Sequence, residues 1–392
     1  MRTFTLAERR NRLAQRHFLA APANGLDTVT RSLVGLHATD PTTPYLSLWA
    51  RVPGFGTGDL DDALYRDRFL VKHMAMRRTL WVVRTADLPA VQSGGSDRVA
   101  DAERRKLVAD VCKAGIADDG QAWLDDACAA VLRHLDSGAY ASTAALRAAL
   151  PELAGEWNPA PGKSWGAVSP IAPRVLTVLS AQGRVMRGPN DGGWTTSRPQ
   201  WASPTTWLPV PGEPLSADPS RAALLRAWLH TFGPATENDV KWWFGQTLGW
   251  VRAGLQDVAA VAVEMEGSAE PGYALPDDLE SDAAAAPWGA LLPGLDPTVM
   301  GWQGRDWYLG PHAAQLFDRS GNAGPTVWWD GRVVGAWGQD ATGRVQVAFV
   351  DDPGAAARKI LERKASSLTD WLDGVRIKPR FPSPLSTTLT PR

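Results

Sequence analysis

His37, Thr39 and Asp40 stand together in the stretch 33–41, Leu-Val-Gly-Leu-His-Ala-Thr-Asp-Pro, and bring an imidazole, a hydroxyl and a carboxylate within four positions. An imidazole exchanges protons near neutral pH, and a hydroxyl two residues on suits a water that the ring could activate. Val29, Leu33 and Leu36 fall at i, i+4 and i+7, a spacing that predicts a helix over 29–37 with one apolar face. Asp27 is placed to cap its start, and Pro41 to end it by disfavouring helical backbone at Asp40. His37 then sits at the negative end of the helix dipole, which favours a protonated ring or a water bonded to it. A plainer reading competes. A helix end with an Asx or Ser/Thr turn before a proline uses the same residues for structural reasons alone.

The elements around this cluster must come from a chain of 392 residues, too long for one simple core, so two to four domains are expected. Apolar residues make up 44% and charged ones 21%, the balance of a folded chain. A formal net charge of −1 excludes a protein that coats nucleic acid or membrane by bulk electrostatics. It leaves room for a local basic groove: residues 1–84 hold thirteen Lys/Arg against seven Asp/Glu. Cys112 and Cys128 read as buried small hydrophobes, and their scarcity suits a cytoplasmic protein. The first ten residues lack the apolar core of a signal peptide, and no run approaches the length of a bilayer span.

Along the chain, Thr5 with Glu8 forms a capping box that opens a first helix. Helices follow at 29–37 and 44–51, then two β-prone runs at 69–76 and 79–83 joined at Arg77-Arg78. Helices closed by a basic-tipped hairpin read as a winged helix. The pattern returns with helices at 104–112, 121–134 and 143–150 and a wing of 184–187 and 193–197. It returns again with helices at 221–230, 237–244 (capped by Thr236) and 250–255 and strands at 261–265 and 273–275. Prolines 204, 209, 211, 214 and 219 punctuate the second boundary. Strands are expected at 302–309, 326–329, 332–334 and 345–350, with an Asp330-Gly331 hairpin turn and a closing helix over 353–372. The expected architecture is α+β: three tandem winged helices (1–92, 93–210, 211–283) and a small C-terminal β-barrel domain (284–392).

Several chemistries are excluded. Gly162-Lys163-Ser164 resembles the end of a phosphate loop, but Trp157 stands where its first glycine belongs. Gly54, Gly56 and Gly58 fall between helical segments, a loop and not a nucleotide cradle. The six histidines and two cysteines show no metal-ligand spacing, and no Gly-x-Ser-x-Gly elbow occurs, so no metal and no cofactor are expected. What remains is basic hairpins. Lys72, Arg77 and Arg78 in the first wing and Arg184, Arg187 and Arg198 in the second suit phosphate contacts, with Arg51 beside them as a further candidate. Charged hairpin tips are as often merely solvated. The nineteen tryptophans read mainly as packing, with Trp49, Trp81 and Trp194 nearest the expected groove. Arg9, Arg10, Arg12 and Arg16 read as the solvated face of the first helix.

The chain resembles the winged-helix DNA glycosylases of the AlkZ and YcaQ type. The resemblance spans nearly the whole chain and rests on 35–39 (Gly-Leu-His-Ala-Thr), 44–51 (Pro-Tyr-Leu-Ser-Leu-Trp-Ala-Arg), 76–80 (Met-Arg-Arg-Thr-Leu), 291–296 (Leu-Leu-Pro-Gly-Leu-Asp), 324–327 and 330–335. It implies tandem winged helices with a small β-barrel, and hydrolysis of the N-glycosidic bond of bulky or cross-linked alkylpurines in double-stranded DNA. Such an enzyme serves DNA repair or self-resistance to a genotoxin, and a monomer is expected. The family's motif, two polar residues around one apolar, usually Gln-x-Gln or Gln-x-Asp, falls on His37-Ala38-Thr39. An alkylated purine is already cationic and leaves without a strong acid, so the protein must supply a positioned water and a base. Neutral His37 fits the base, Thr39 the water holder, and Asp40 a charge to offset the sugar cation. The competing class is a DNA- or adduct-binding protein without catalysis. A transcription regulator fits less well, because regulators rarely need three fused wings.

Overall fold

Thr5 accepts from the Glu8 amide and Glu8 accepts in return from the Thr5 amide at 2.8 Å, so the expected capping box opens the first helix, Leu6–Arg16. In the computed structural model the chain is described except at Ala139, Pro161, Ser164, Trp165, 209–212 and 391–392. Ser164 of the phosphate-loop lookalike and Pro209 and Pro211 of the boundary lie outside the described residues. The fold is α+β. It divides into two compact units, one of Met1–Leu60 with Arg221–Arg392 and one of Asp61–Ser220, which cut across the four segments drawn from the sequence.

In the first unit the N-terminus forms a strand with no signal in the sequence pattern. Thr3–Phe4 pairs in parallel with Val261–Met265, which pairs antiparallel with Gly272–Ala274. Phe4 fills the core beside Val263 and Ala274. The arginines expected on a solvated face are instead absorbed. Arg12 and Arg16 pair with Asp278, Arg16 also with Asp282, and the Arg9 guanidinium lies 4.2 Å from the Trp307 ring centre. These partners are some 260–300 positions away, beyond the reach of a local pattern. Ala217–Phe232, Glu237–Phe244 and Leu248–Asp257 form the expected helical trio, with Thr236 and Asp239 as a second capping box. Trp228, Phe232, Trp243 and Phe244 pack into its core, with ring centres 4.6–6.1 Å apart.

The C-terminal sheet is an antiparallel run of Gly289–Leu292, Thr326–Trp329, Arg332–Gln339 and Val345–Phe349. Asp330 (φ 45°) and Gly331 (φ 77°) make the tight turn their types demand. The 302–309 stretch is a helical turn at Asp306–Leu309, not a strand, and the strand Gly289–Leu292 stands in its place in the sheet. Among the described residues the sheet is open and not a closed barrel. The helix Ala355–Leu372 packs on both edge strands, with Leu361 against Gly289, and so occupies the place where they would join.

In the second unit, Leu124, Cys128, Val131 and Leu135 line one face of Gly120–Leu135. They pack with Asp97–Lys113 and Ala172–Ala181 in one apolar core. Cys128 belongs to that core; Cys112 is exposed, contrary to expectation, because it lies at the solvent side of its helix end. The hairpin Leu70–Ala75 and Thr79–Arg84 turns at Arg77 and Arg78 as read. The hairpin expected as a second wing is displaced. Its strands are Met186–Asn190 and Pro199–Ala202, and the expected strand 193–197 is loop because Gly192 and Gly193 adopt φ of 91° and 81°.

Candidate active site

The helix that leads to His37 is shorter than its apolar spacing predicts. It spans Leu26–Ser32, with Gly25 and not Asp27 at its cap, and Asp27 in the first turn. Val34 (φ 58°) and Gly35 (φ 136°) then reverse the chain, the first a costly backbone for a β-branched residue and the second open only to glycine. His37 therefore lies on a short strand, Leu36–His37, and not at the end of a helix dipole. It is 3% exposed, while Thr39 is half-buried. The Thr39 amide donates to His37 Nδ1 at 3.4 Å. The bond is longer than the usual 2.7–3.2 Å.

Asp40 is engaged within the protein on both of its oxygens. Its Oδ1 accepts from the Thr42 amide (2.9 Å) and hydroxyl (2.7 Å), and its Oδ2 from the Arg380 amide (2.8 Å). The group is 4% exposed, so in place of the free carboxylate expected to offset a sugar cation, Asp40 is a fastening of the loop. Arg380, which no local pattern marks, also donates from Nη1 to the Thr39 carbonyl at 3.3 Å.

The loop runs into the helix Thr43–Trp49, and that helix is bolted to the 291–296 motif. Thr43 Oγ1 donates to the Gly294 carbonyl (2.7 Å), and Ser47 Oγ to Asp296 (2.6 Å). Arg51 is wholly buried and donates at all five N–H positions: to Asp296 twice, to Thr298 Oγ1, and to the His17 and Ser47 carbonyls. Burial alone would raise the Asp296 carboxyl, but Arg51, Ser47 and the Thr298 amide outweigh it and hold the group below the usual carboxylate range. Arg51 is thus structural and closed to phosphate, which corrects its assignment to DNA.

The remaining basic residues belong to the second unit and differ sharply. Arg184 and Arg198 are exposed. Arg78 is exposed and paired with Glu103 at 2.8 Å; Arg77 is half-buried. Lys72 is buried, its ammonium 2.8 Å from the Tyr65 hydroxyl, and burial pushes it down to about 8. Arg187 lies half-buried on Trp201, its guanidinium 4.5 Å from the ring centre, and burial pushes it to about 10. Lys72 is therefore a poor phosphate contact as it stands. Trp81 is fully buried, and Trp49 packs on Trp371 with ring centres 6.3 Å apart, so both serve packing; Trp194 is half-buried.

Residues 30–371, which include the His37–Thr39 loop and its support, match the family described as DNA glycosylase AlkZ-like. The chain belongs to that family. As a DNA glycosylase it is an enzyme, and its substrate is DNA. Among solved structures it is similar to the Streptomyces sahachiroi DNA glycosylase AlkZ, with a TM-score of 0.73 and 21% identity, over 96% of this chain and 99% of the other. At that identity the likeness establishes the shared fold. Nothing among curated proteins matches the chain. No helix among the described residues is long and apolar enough to cross a membrane.

Proposed function

We propose that this glycosylase hydrolyses the N-glycosidic bond of alkylated purines in double-stranded DNA, bulky and cross-linking adducts included, with His37 as base and Thr39 as the residue that holds the water. The observation that carries this reading is the 3.4 Å contact from the Thr39 amide to His37 Nδ1, which sets an imidazole beside a half-buried Thr39 on a loop fixed by Asp40. In the reaction, the bond from the sugar C1′ to the purine nitrogen breaks and its electron pair neutralises the cationic base. The water oxygen bonds C1′, and the water's proton passes to His37. Extrusion of the nucleotide is the step that delivers the sugar to a ring this shielded. The reading includes three winged-helix modules, a monomer and a cytoplasmic site of action in repair or self-resistance, and it assigns the exposed Arg184 and Arg198, with Arg77 and Arg78, to DNA phosphates. The likeness to AlkZ supports the modular part of it.

A gel assay of base release from an alkylated duplex, comparing wild type with His37→Ala, tests the reading. Release is expected to fall about 100-fold or more in the variant, the usual contribution of a general base. Equal release by both proteins would remove His37 from the chemistry. Binding without release by either would make the chain a DNA-binding protein.

A further inference from the structure

Residues 376–380 read Arg-Ile-Lys-Pro-Arg, three basic residues at alternate positions. The structure turns that alternation into a surface. Ile377 is buried and Pro379 half-buried, while Arg376, Lys378 and Arg380 are all exposed. The segment is fastened at both ends. The Ile377 amide donates to Gln339 Oε1 at 2.7 Å, and Gln339 Nε2 donates to the Val375 carbonyl at 3.0 Å. At the far end the Arg380 amide donates to Asp40 and its guanidinium to the Thr39 carbonyl. Among the described residues none of the three cations has a carboxylate partner within ion-pair distance. Arg376 spends one donor on the Ala341 carbonyl at 3.4 Å, and the Arg380 guanidinium lies 5.9 Å from the Phe381 ring centre.

We infer that Arg376, Lys378 and Arg380 form a phosphate track that leads the DNA backbone to the His37–Thr39 loop, with Arg380 on the phosphate beside the nucleotide being cleaved. Three reasons favour this over a merely solvated face. Unpaired like charges at alternate positions repel one another, and a polyanion relieves that cost. The backbone carrying them is anchored, so little ordering entropy is lost on binding. Arg380 touches the same peptide that carries Thr39, so a phosphate bound there is registered to the loop by one side chain. A guanidinium fork suits that contact because it can bond one anion while still bonded to a carbonyl.

The inference rests on the proposed function only in taking DNA as the partner, and its test reads binding and not base release. The full chain and the triple variant Arg376→Gln/Lys378→Gln/Arg380→Gln are titrated with a labelled, unmodified duplex at several salt concentrations. Each phosphate neutralised contributes roughly 0.9 to the slope of log affinity against log salt. The variant's slope is expected to be shallower by about 2 to 3. A control of equal charge change, Arg319→Gln/Lys359→Gln/Arg363→Gln, removes exposed cations elsewhere and is expected to change the slope by less than 1, within about one contact. An unchanged slope in the first variant, or an equal loss in the control, overturns the track; so does wild type failing to bind DNA. A selective loss of slope with no base release by any form would keep the track and sink the glycosylase chemistry proposed above.

Discussion

Arg51 and Asp296, 245 positions apart, form a two-point ion pair with no exposure on either side chain, directly behind the helix that follows the His37–Thr39 loop. Every N–H of the guanidinium is bonded, and the carboxylate accepts from Arg51, Ser47 and the Thr298 amide. A buried pair so fully satisfied specifies one position for its surroundings, while loss of one member strands the other's charge. Asp296→Asn is therefore expected to cost about 3–5 kcal/mol, read as a fall in the urea midpoint at constant m-value. The double variant Arg51→Met/Asp296→Leu should recover much of that stability. Additive losses in the double variant would show that the pair is not coupled.

The two motifs that this pair joins, 44–51 and 291–296, were visible in the sequence as separate signatures, but not their meeting. Local chemistry was legible: the Thr5–Glu8 capping box, the Asp330-Gly331 turn and the Thr236-capped helix all depend on neighbours within three positions. What failed depended on distant partners or on strain. The helix over 29–37 stops at Ser32 because Val34 takes a positive φ against its own preference, which no apolar period signals. Arg51 and Lys72 looked like cationic grips because only tertiary packing buries them. Asp40 looked catalytic because one of its partners is 340 residues away.

Asp40 fastens both the loop and the C-terminal segment, so its removal should disturb geometry more than chemistry. Asp40→Ala frees the Thr42 amide and hydroxyl and the Arg380 amide at once. Base release is expected to slow by about tenfold to 100-fold through misplacement of the loop. If His37 is the base, as proposed, the shape of the pH–rate profile should not change, because the carboxylate then exchanges no proton in the reaction. A profile that loses its acid limb in Asp40→Ala would return the carboxylate to the chemistry.

Two buried imidazoles make the fold sensitive to acid. Burial, aided by the Arg51 charge, pushes His17 down to about 3, and burial pushes His73 down to about 4. The unfolded chain takes up a proton at each near pH 6.5, and the folded chain does not until far lower. Stability is therefore full above about pH 6.5 and is lost as pH falls from there toward 4. By pH 4.5 the loss should be about 2.5 kcal/mol for each residue, seen in urea unfolding at pH 7 and 4.5. His17→Gln should flatten the pH dependence by one residue's share, whatever it does to stability at pH 7. An unaltered slope would mean that His17 is reached by protons in the folded state.

The tip of the first hairpin stores strain where DNA contact is proposed. Arg77 and Arg78 both adopt left-handed backbone, at φ of 56° and 61°, which costs a side-chain-bearing residue roughly 1 kcal/mol or more. Arg77→Gly removes that cost, since glycine enters this region freely. The variant should therefore be more stable by about 1 kcal/mol, partly offset by the flexibility glycine adds to the unfolded chain. If the tip grips phosphate, the same variant binds duplex DNA more weakly and its salt slope falls by about 1. Opposite signs in the two measurements are the expected signature of strain kept for binding. A variant that gains stability with unchanged affinity would leave Arg77 without a role in DNA contact, and one that loses stability would show that its half-buried side chain matters more to packing than its backbone costs.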